Sequence, residues 1–326
     1  MFDVIGFGAL NLDRIYTVES LPAISDGLDL APGSERVIDD EEYDTLLQRL
    51  ETAGTLRATA GGGQAANAVY ALAQMGFRTA LIGSAGADDE GDSLLAELAP
   101  VDTTYVTRAG RSAGCLVIVD EQGERTIRLR PAVDSVLPDA VTAWKKLDGA
   151  HYIHLTSLIE AEGPVEQVRL LQNIPDSAKV SFDPGELYCR LGAKALEPLL
   201  RRTYILFAGE SEAELLVGTA NICDELLNLG SRIVVCKKGA AGVEVANSDG
   251  DRFSLPAKET PVVDATGAGD VFAAGFLAGL MLDLDQVRCA ALGIDAAAQS
   301  VGGYGRSSYP GPELIKAARS KKGRAS

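Results

Sequence analysis

Positively charged residues are scarce in this sequence of 326 residues. It contains 30 Lys and Arg against 46 Asp and Glu, which gives a net charge of −16 at pH 7. A nucleic-acid partner needs clustered basic side chains to meet its phosphates, so this balance argues against nucleic-acid binding. Hydrophobic residues at 46% and charged residues at 23% are typical of an ordinary globular protein. We expect the whole chain, 1–326, to form a single large α/β domain with an appendage.

Cysteine and histidine are too few and too scattered to suggest a disulfide framework or a zinc site. The five cysteines are odd in number and form no C-x-x-C pair, which is typical of free thiols in a reducing cytosol. The two histidines, His151 and His154, alternate to opposite faces of a predicted strand. They are therefore poor joint metal ligands, and we expect them to pack in or beside the sheet.

Long apolar runs are also missing. The longest, Val271 to Leu282, is well short of the roughly 20 residues that a membrane helix needs, and it contains two glycines. The N-terminus has an early acid, Asp3, and no basic segment before an apolar one, which favours a first strand over a signal peptide. We therefore expect a cytoplasmic protein with no membrane partner.

The most familiar phosphate-binding loops do not occur in the sequence. There is no G-x-x-x-x-G-K-[ST] loop, and the protein-kinase motif set is absent. Gly6-x-Gly8 lacks the third glycine and the following helical pattern of a dinucleotide fingerprint, so it is interpreted as a tight turn. Any phosphoryl transfer must therefore depend on another arrangement of residues.

The stretch from Val262 to Leu282 contains such an arrangement. Thr266-Gly267-Ala268-Gly269 is a run of small residues before an apolar run of helical length, so the backbone N–H groups of the first turn can converge on an anion. Asp270 lies in the same turn. A carboxylate repels a phosphate, but it can deprotonate a hydroxyl held beside it, which suggests phosphoryl transfer to a hydroxyl. The alternative is that Asp270 only caps the helix.

Alternating strands and helices occupy most of the chain. Residues 2–7 are interpreted as a strand that leads into a turn, with Asp13 at its carboxyl end. A helix is predicted over Asp39–Glu51, and a second over Gln64–Met75 follows the Gly61-Gly62-Gly63 run. After Pro131 the alternation predicts a parallel sheet covered by helices on both faces, with strands at 151–155, 180–182, 204–207 and 233–236 and helices at 165–171, 193–201 and 210–217.

Residues 115–119 and 125–130 flank a short polar turn and predict a β-hairpin. Thr126, Arg128 and Arg130 alternate with apolar residues, which predicts one face in contact with water. A hairpin inserted among α/β units suits a lid. We place this lid at about 14–60 and 105–130, with the Asp39–Glu51 helix packed on it.

Four motifs follow one another along the chain: N-x-D at Asn11–Asp13, G-G-Q-A-A-N at Gly62–Asn67, G-E-S-E at Gly209–Glu212 and D-A-T-G-A-G-D at Asp264–Asp270. Together they resemble the ribokinase-like, or PfkB, family of carbohydrate and nucleoside kinases, and the resemblance covers essentially the whole chain. It implies a three-layer α/β sandwich with a mostly parallel central sheet and a small β lid. It also implies a homodimer formed through that lid.

The resemblance implies a role for each motif. Asp270 would be the general base and the amides of Gly267, Ala268 and Gly269 the anion hole. The hydroxyls of a sugar would bind a separate set, Asn11, Asp13, Gly62, Gly63 and Asn67. ATP with Mg²⁺ would lie near Glu212, which holds waters around the metal, and near the turn from Gly239 to Gly242. A monovalent cation such as K⁺ would bind Asp264, Thr266, Ser300 and Gly303.

Two positions depart from the family pattern. Gly209 stands where members commonly carry Asn, and Gln64 stands where ribokinase itself carries Lys, which argues against ribose as the acceptor. The resemblance implies ATP-dependent phosphorylation of a primary hydroxyl of a sugar or sugar derivative. A nucleoside kinase and a non-catalytic ligand-binding member of the family are the alternatives, and Gly209 is the feature that favours the second of them.

Overall fold

A nine-stranded sheet forms the centre of the computed structural model, which describes residues 1–322. All neighbouring strands run parallel except at one edge, where β12 (Ile233–Lys237), β13 (Val243–Asn247) and β14 (Arg252–Leu255) pair antiparallel. The mostly parallel sheet is therefore confirmed. From one edge to the other the strands are β14 (Arg252–Leu255), β13 (Val243–Asn247), β12 (Ile233–Lys237), β11 (Thr203–Gly209), β10 (Lys179–Asp183), β9 (Ala150–Thr156), β1 (Phe2–Phe7), β5 (Thr79–Ala85) and β6 (Asp102–Arg108).

Helices cover both faces of this sheet and give the expected three layers. Adjacent residues of β1 point to opposite faces, so Val4 enters the core on one side and Ile5 the core on the other. The first core is closed by α3 (Gln64–Gln74), α11 (Ala268–Met281), α12 (Gln286–Ser300) and α13 (Pro312–Lys322). The second is closed by α5 (Ala140–Lys146), α6 (Gly163–Leu171), α7 (Gly185–Cys189), α8 (Ala193–Leu200), α9 (Glu210–Val217) and α10 (Ile222–Asn228).

Helix α11 is buried from Asp270 to Gly279, as its apolar sequence indicates. It packs closely against α12, because a Cβ added at Gly275 would lie 2.8 Å from the Cα atom of Gly293. The glycines thus let two helix backbones approach and fix α11 in the core. None of the helices within residues 1–322 is long and apolar enough to cross a membrane.

A second, five-stranded sheet lies beside the first. Its spatial order is β3 (Glu35–Val37), β8 (Arg125–Arg130), β7 (Ala113–Val119), β2 (Asn11–Val18) and β4 (Gly54–Gly62). Helix α2 (Asp40–Ala53) packs on it through Tyr43, Leu46 and Leu50, and the short α1 (Pro22–Ser25) and α4 (Asp89–Glu97) lie nearby. The β7–β8 hairpin is confirmed.

The boundaries of this small sheet differ from the expected 14–60 and 105–130. It begins at Asn11, so Asp13 is the third residue of β2 and does not lie at the end of β1. Residues 105–108 belong to β6, which pairs with β5 in the main sheet. Both differences arise because strand partners are distant in sequence, and a local pattern does not say which sheet a strand joins.

The prediction that one face of the hairpin contacts water is wrong. Thr126 and Arg128 are fully buried, and Arg130 is nearly so. The guanidinium of Arg128 donates to the carbonyl oxygens of Asp29 and Ser34, at 3.1 Å for Ser34. The guanidinium of Arg130 lies 4.4 Å from the ring centre of Tyr43. The chain before α2 and α2 itself cover this face and supply the partners that make burial of two arginines tolerable.

Candidate active site

The anion loop lies at the N-terminus of α11. Gly267 precedes the helix with φ +74°, and a Cβ added there would lie 2.7 Å from the Tyr309 hydroxyl. The loop is held from within, since Asp264 Oδ1 accepts from Thr266 N at 2.9 Å and Ala268 N donates to Ala265 O at 3.2 Å. The first turn of a helix has N–H groups without an intrahelical acceptor. The predicted residues Gly267, Ala268 and Gly269 therefore lie at this helix start, with Ala268 N already donating to Ala265 O, and the anion hole stays a prediction.

Asp270 lies in the first turn of α11 and is only 7% exposed. Its Oδ2 accepts a hydrogen bond from Asn67 Nδ2 at 2.9 Å. Burial, and then the nearby Asp183 carboxylate, raise the pKa of Asp270 to about 7, against the opposing effects of Asn67 and Lys237. A carboxyl group with this pKa can accept a proton near neutral pH.

The predicted acceptor-binding residues lie at the junction of the two sheets. Strands β2 and β4 pair so that Asn11 faces Gly62, and Asn11 Nδ2 donates to Asp13 Oδ1. A Cβ at Gly62 would lie 2.3 Å from Asp13 Oδ1, and a Cβ at Gly63, with φ +102°, would lie 2.1 Å from Ala9 O. Only glycines fit these two positions. Burial raises the pKa of Asp13 to about 7.

Asn67, in the first turns of α3, connects Asp270 with the predicted acceptor-binding residues. Its Nδ2 donates to Asp270, and its Oδ1 accepts from Arg306 Nε at 3.1 Å. The structure therefore brings Asn67 into contact with Asp270. The amide oxygen is already occupied by a protein partner, so toward an acceptor hydroxyl Asn67 has one N–H left to offer.

Sequence reasoning missed Lys237 and Asp183. Lys237 ends β12, and its Nζ donates to Asp183 Oδ2 at 2.6 Å. Asp183 is fully buried at the end of β10, and its Oδ1 has no hydrogen-bond partner among residues 1–322. A Cβ at Gly269 would lie 3.2 Å from Lys237 Nζ, so the ammonium group lies against the anion loop. Its place at a strand end, just before the Lys238-Gly239 turn, is the signal that could have identified it.

Lys237 remains protonated despite its burial. Burial acts to lower the pKa of Lys237, but the carboxylates of Asp183 and Glu212 outweigh it and hold the pKa above its usual range. The loop thus faces a fixed positive charge in addition to its backbone amides. This combination stabilises an anion more strongly than either part would alone.

A cleft of about 450 Å³ runs from the anion loop across the edge of α11 and α12. The predicted Gly239 and Gly242 line it, and they flank the short 3₁₀ turn Gly239–Ala241. Ala268 and Gly269 line it at the loop end, and Phe272, Ile294 and Val301 supply apolar walls. A cleft with the anion loop at one end and apolar walls beyond it suits a molecule with a phosphate at one end and a flat ring at the other.

Glu212 lies in the first turn of α9 and is half-buried. Its carboxylate accepts from the backbone N–H of Gly209, so the glycine that replaces the expected asparagine contacts Glu212 through its backbone. Burial raises the pKa of Glu212. Within the part of the chain that the structure describes, no three His, Cys, Asp or Glu side chains cluster to hold a metal.

The residues predicted to bind a monovalent cation are brought together only in part. Asp264 accepts from Thr266 N and, through Oδ2, from Gly305 N at 3.3 Å. The Thr266 hydroxyl is buried, and within residues 1–322 it has no hydrogen-bond partner. Ser300 donates to Ala297 O at 2.9 Å, which places its hydroxyl in its own helix. The cation site stays a prediction.

The fold and this site define a class of enzyme: ribokinase-like kinases with a mostly parallel sheet and a smaller sheet beside it. Residues 37–312 match the sequence profile of the pfkB family carbohydrate kinases, and the chain belongs to this family. The expected family, fold class and carbohydrate-kinase activity are confirmed. Membership implies a small-molecule sugar or nucleoside substrate, with ATP as donor and typically Mg²⁺.

Three similar proteins illustrate the range of the family. A sugar kinase of Archaeoglobus fulgidus, described as uncharacterized, is 36% identical over 72% of this chain and 95% of its own. An ATP-dependent ribose-1-phosphate kinase of Halopiger xanaduensis is 32% identical over 79% of this chain and 86% of its own. The structure of an adenosine kinase from Sinorhizobium meliloti has a TM-score of 0.80 at 23% identity, covering 98% and 99% of the two chains, and it supports the fold.

Proposed function

We propose that this enzyme transfers the γ-phosphoryl group of ATP to a primary hydroxyl of a sugar or sugar derivative, with Asp270 as general base. The observation that carries the proposal is the position of the Asp270 carboxylate. It lies in the first turn of α11, next to the anion loop, and has a pKa of about 7. The acceptor hydroxyl donates its proton to Asp270 as its oxygen forms the new bond to phosphorus. The bond to the bridging oxygen breaks, and ADP leaves with that electron pair.

The acceptor is held from the small sheet. Asp13 is a buried carboxylate that accepts hydrogen bonds from sugar hydroxyls, and Asn11, Gly62 and Gly63 shape the backbone around it. The remaining N–H of Asn67 can reach a hydroxyl beside Asp270. Holding two reactants in a fixed relation supplies much of the rate enhancement in phosphoryl transfer.

The nucleotide lies in the apolar cleft with its phosphates at the anion loop. Lys237 and the amides of Gly267 and Gly269 stabilise the charge on the transferring group, and the Ala268 amide would join them by exchanging its bond to Ala265 O for one to the phosphate. When bound, Mg²⁺ neutralises phosphate charge, and Glu212 would hold one of its waters. Asp264 and the buried hydroxyl of Thr266 are the residues here best suited to a monovalent cation.

The small sheet serves as the lid in this proposal. It belongs to the same domain as the main sheet and carries Asp13 on β2, so acceptor binding draws it toward the anion loop. Closure excludes water, which would otherwise compete with the acceptor for the phosphoryl group. Pairing of two lids in a homodimer stays a prediction.

A panel of acceptors tests the assignment. Sugars, sugar phosphates and nucleosides are assayed for ADP release, and the phosphorylated carbon is identified by NMR. We expect turnover with a sugar or sugar derivative and phosphate at a primary hydroxyl. Turnover with nucleosides alone would overturn the sugar assignment in favour of a nucleoside kinase. Calorimetric binding of an acceptor without ADP release would favour a non-catalytic member.

The rate should depend on pH through Asp270. Because protonated Asp270 cannot accept the hydroxyl proton, kcat should fall about tenfold per pH unit below about pH 7. It should level off above that pH. The measurement is kcat at saturating ATP and acceptor between pH 5 and 9, with thermal unfolding followed at each pH as the control. A kcat that stays constant down to pH 5 would contradict the proposed base.

A further inference from the structure

Arg306 is a buried residue near the proposed site that has no role in the proposed reaction. It follows α12 in the chain, and its side chain is only 6% exposed. The guanidinium donates from Nε to Asn67 Oδ1 at 3.1 Å and from Nη2 to Gly62 O at 3.4 Å. Its Nη1 lies 3.7 Å from Glu97 Oε2. A buried arginine therefore connects α3, the end of β4 and α4 at the edge of the site.

The chemistry of the guanidinium determines which way the Asn67 amide faces. A guanidinium has donors only, so the atom of Asn67 that faces Arg306 has to be the oxygen. The NH₂ group then has to face Asp270, where it donates to Oδ2 at 2.9 Å. If the amide were flipped, its oxygen would face the carboxylate, and only a protonated Asp270 could form a hydrogen bond with it.

We propose that Arg306 is a positioning residue for the base: by holding the oxygen of Asn67, it keeps the Asn67 NH₂ group on Asp270 and so keeps Asp270 ionised. The proposal rests on the proposed role of Asp270. Arg306 itself touches neither reacting atom. Its effect passes through Asn67, so it should appear in the protonation of the base more than in acceptor affinity.

Several other charged and polar groups surround Asn67 and Asp270. Asp183, Lys237 and Glu212 act on Asp270 from β10, β12 and α9. Tyr309 also faces Asp270, and burial, followed by this carboxylate, holds the pKa of Tyr309 above its usual range. Because these groups remain in an Arg306 variant, they provide a constant background against which the effect of the Asn67 amide can be measured.

Arg306 has its own neighbours, and they could produce a second effect. Burial raises the pKa of Asp13, and the positive charge of Arg306 opposes part of that rise. Its guanidinium lies 5.4 Å from the ring centre of Tyr70. Glu97 Oε2, near Nη1, also accepts from Gly61 N at 2.7 Å and so stays anchored without Arg306. Loss of charge near Asp13 can alter acceptor binding, which is why kcat has to be measured at saturating acceptor.

The first test is the pH profile of kcat in Arg306→Met. We expect the acid limb to move upward by about one pH unit, because the ionised carboxylate of Asp270 loses the hydrogen bond from the Asn67 NH₂ group. At pH 6 kcat should fall about tenfold, and at pH 8.5 it should remain close to the parent value. Arg306→Lys keeps a donor-only cation and should move the limb less than Arg306→Gln, whose amide can face Asn67 with either end. These two variants provide the same comparison if Arg306→Met does not fold.

A double-mutant cycle separates this role from a general effect of lost charge. In an Asn67→Leu background, Arg306→Met should add no further shift of the acid limb. The matched control is Arg14→Met, since Arg14 is a partly buried arginine next to Asp13 that donates to Tyr43 at 3.2 Å and to Glu90. Its acid limb should stay at the parent pH.

Two results would overturn the proposal: an acid limb of Arg306→Met at the parent pH, or an equal shift in the presence and absence of Asn67. The role of the base is tested separately, by Asp270→Asn. Full turnover in that variant would overturn the base and the role of Arg306 together. An inactive Asp270→Asn combined with an unshifted Arg306→Met would overturn the role of Arg306 alone.

Discussion

Asp270→Asn is expected to lower kcat by at least about 100-fold while ATP binding is retained. The new amide has nearly the shape of the carboxylate, and it can offer its oxygen to Asn67 Nδ2, so the hydrogen bond seen at 2.9 Å can persist. It cannot accept a proton from the acceptor hydroxyl. Steady-state ADP release gives kcat, and calorimetry gives the dissociation constant for ATP.

A control for this substitution is Asp176→Asn. Asp176 is fully exposed and forms a surface ion pair with Arg202 at 3.4 Å, where loss of one charge has little effect. It should turn over at the parent rate. An Asp270→Asn enzyme as fast as this control would rule out Asp270 as the base.

Lys237→Met should have two large effects, one on the rate and one on stability. Loss of the ammonium group beside the anion loop should lower kcat by about 10²- to 10³-fold, because the transferring group then loses a positive charge fixed next to it. It also leaves the fully buried Asp183 without its partner at 2.6 Å. Breaking a buried pair in this way costs about 3–5 kcal/mol of folding free energy. ADP release and urea unfolding measure the two effects.

The double variant Asp183→Asn/Lys237→Met separates the effect on kcat from the effect on folding stability. Removing both charges removes the unpaired carboxylate, so stability should return most of the way to the parent value, while kcat stays low. If turnover recovered together with stability, Lys237 would have only a structural role. The comparison therefore tests the contribution of Lys237 to catalysis independently of its contribution to folding.

The sequence predicts those features of the fold that depend on local pattern. The run of small residues before an apolar helix identified the loop and Asp270, because both lie within one helical turn. The strand and helix alternation after Pro131 predicted the parallel sheet, since buried strands and covering helices differ in period and length. The Asp39–Glu51 helix was also predicted, and the structure has it as Asp40–Ala53.

Features that depend on pairing between distant residues escaped prediction. Lys237 and Asp183 are 54 positions apart, and only the adjacent carboxyl ends of β12, β11 and β10 bring them together. Arg128 was expected to face water because arginine usually does. It is buried because carbonyl groups 94 and 99 positions away accept its hydrogen bonds. In each case the partner, and not the residue type, determines the environment.

The two sheets divide the site between them, since Asp270 and Lys237 belong to the layers of the large sheet and Asp13 to the small one. With the roles proposed for Asp13 and Asp270, this division would let relatives share a reaction and differ in the molecule they act on. Mutations among five short strands can alter acceptor choice without rebuilding the machinery that transfers the phosphoryl group. Members of such a family can therefore evolve to act on new metabolites while they keep the same phosphoryl-transfer reaction.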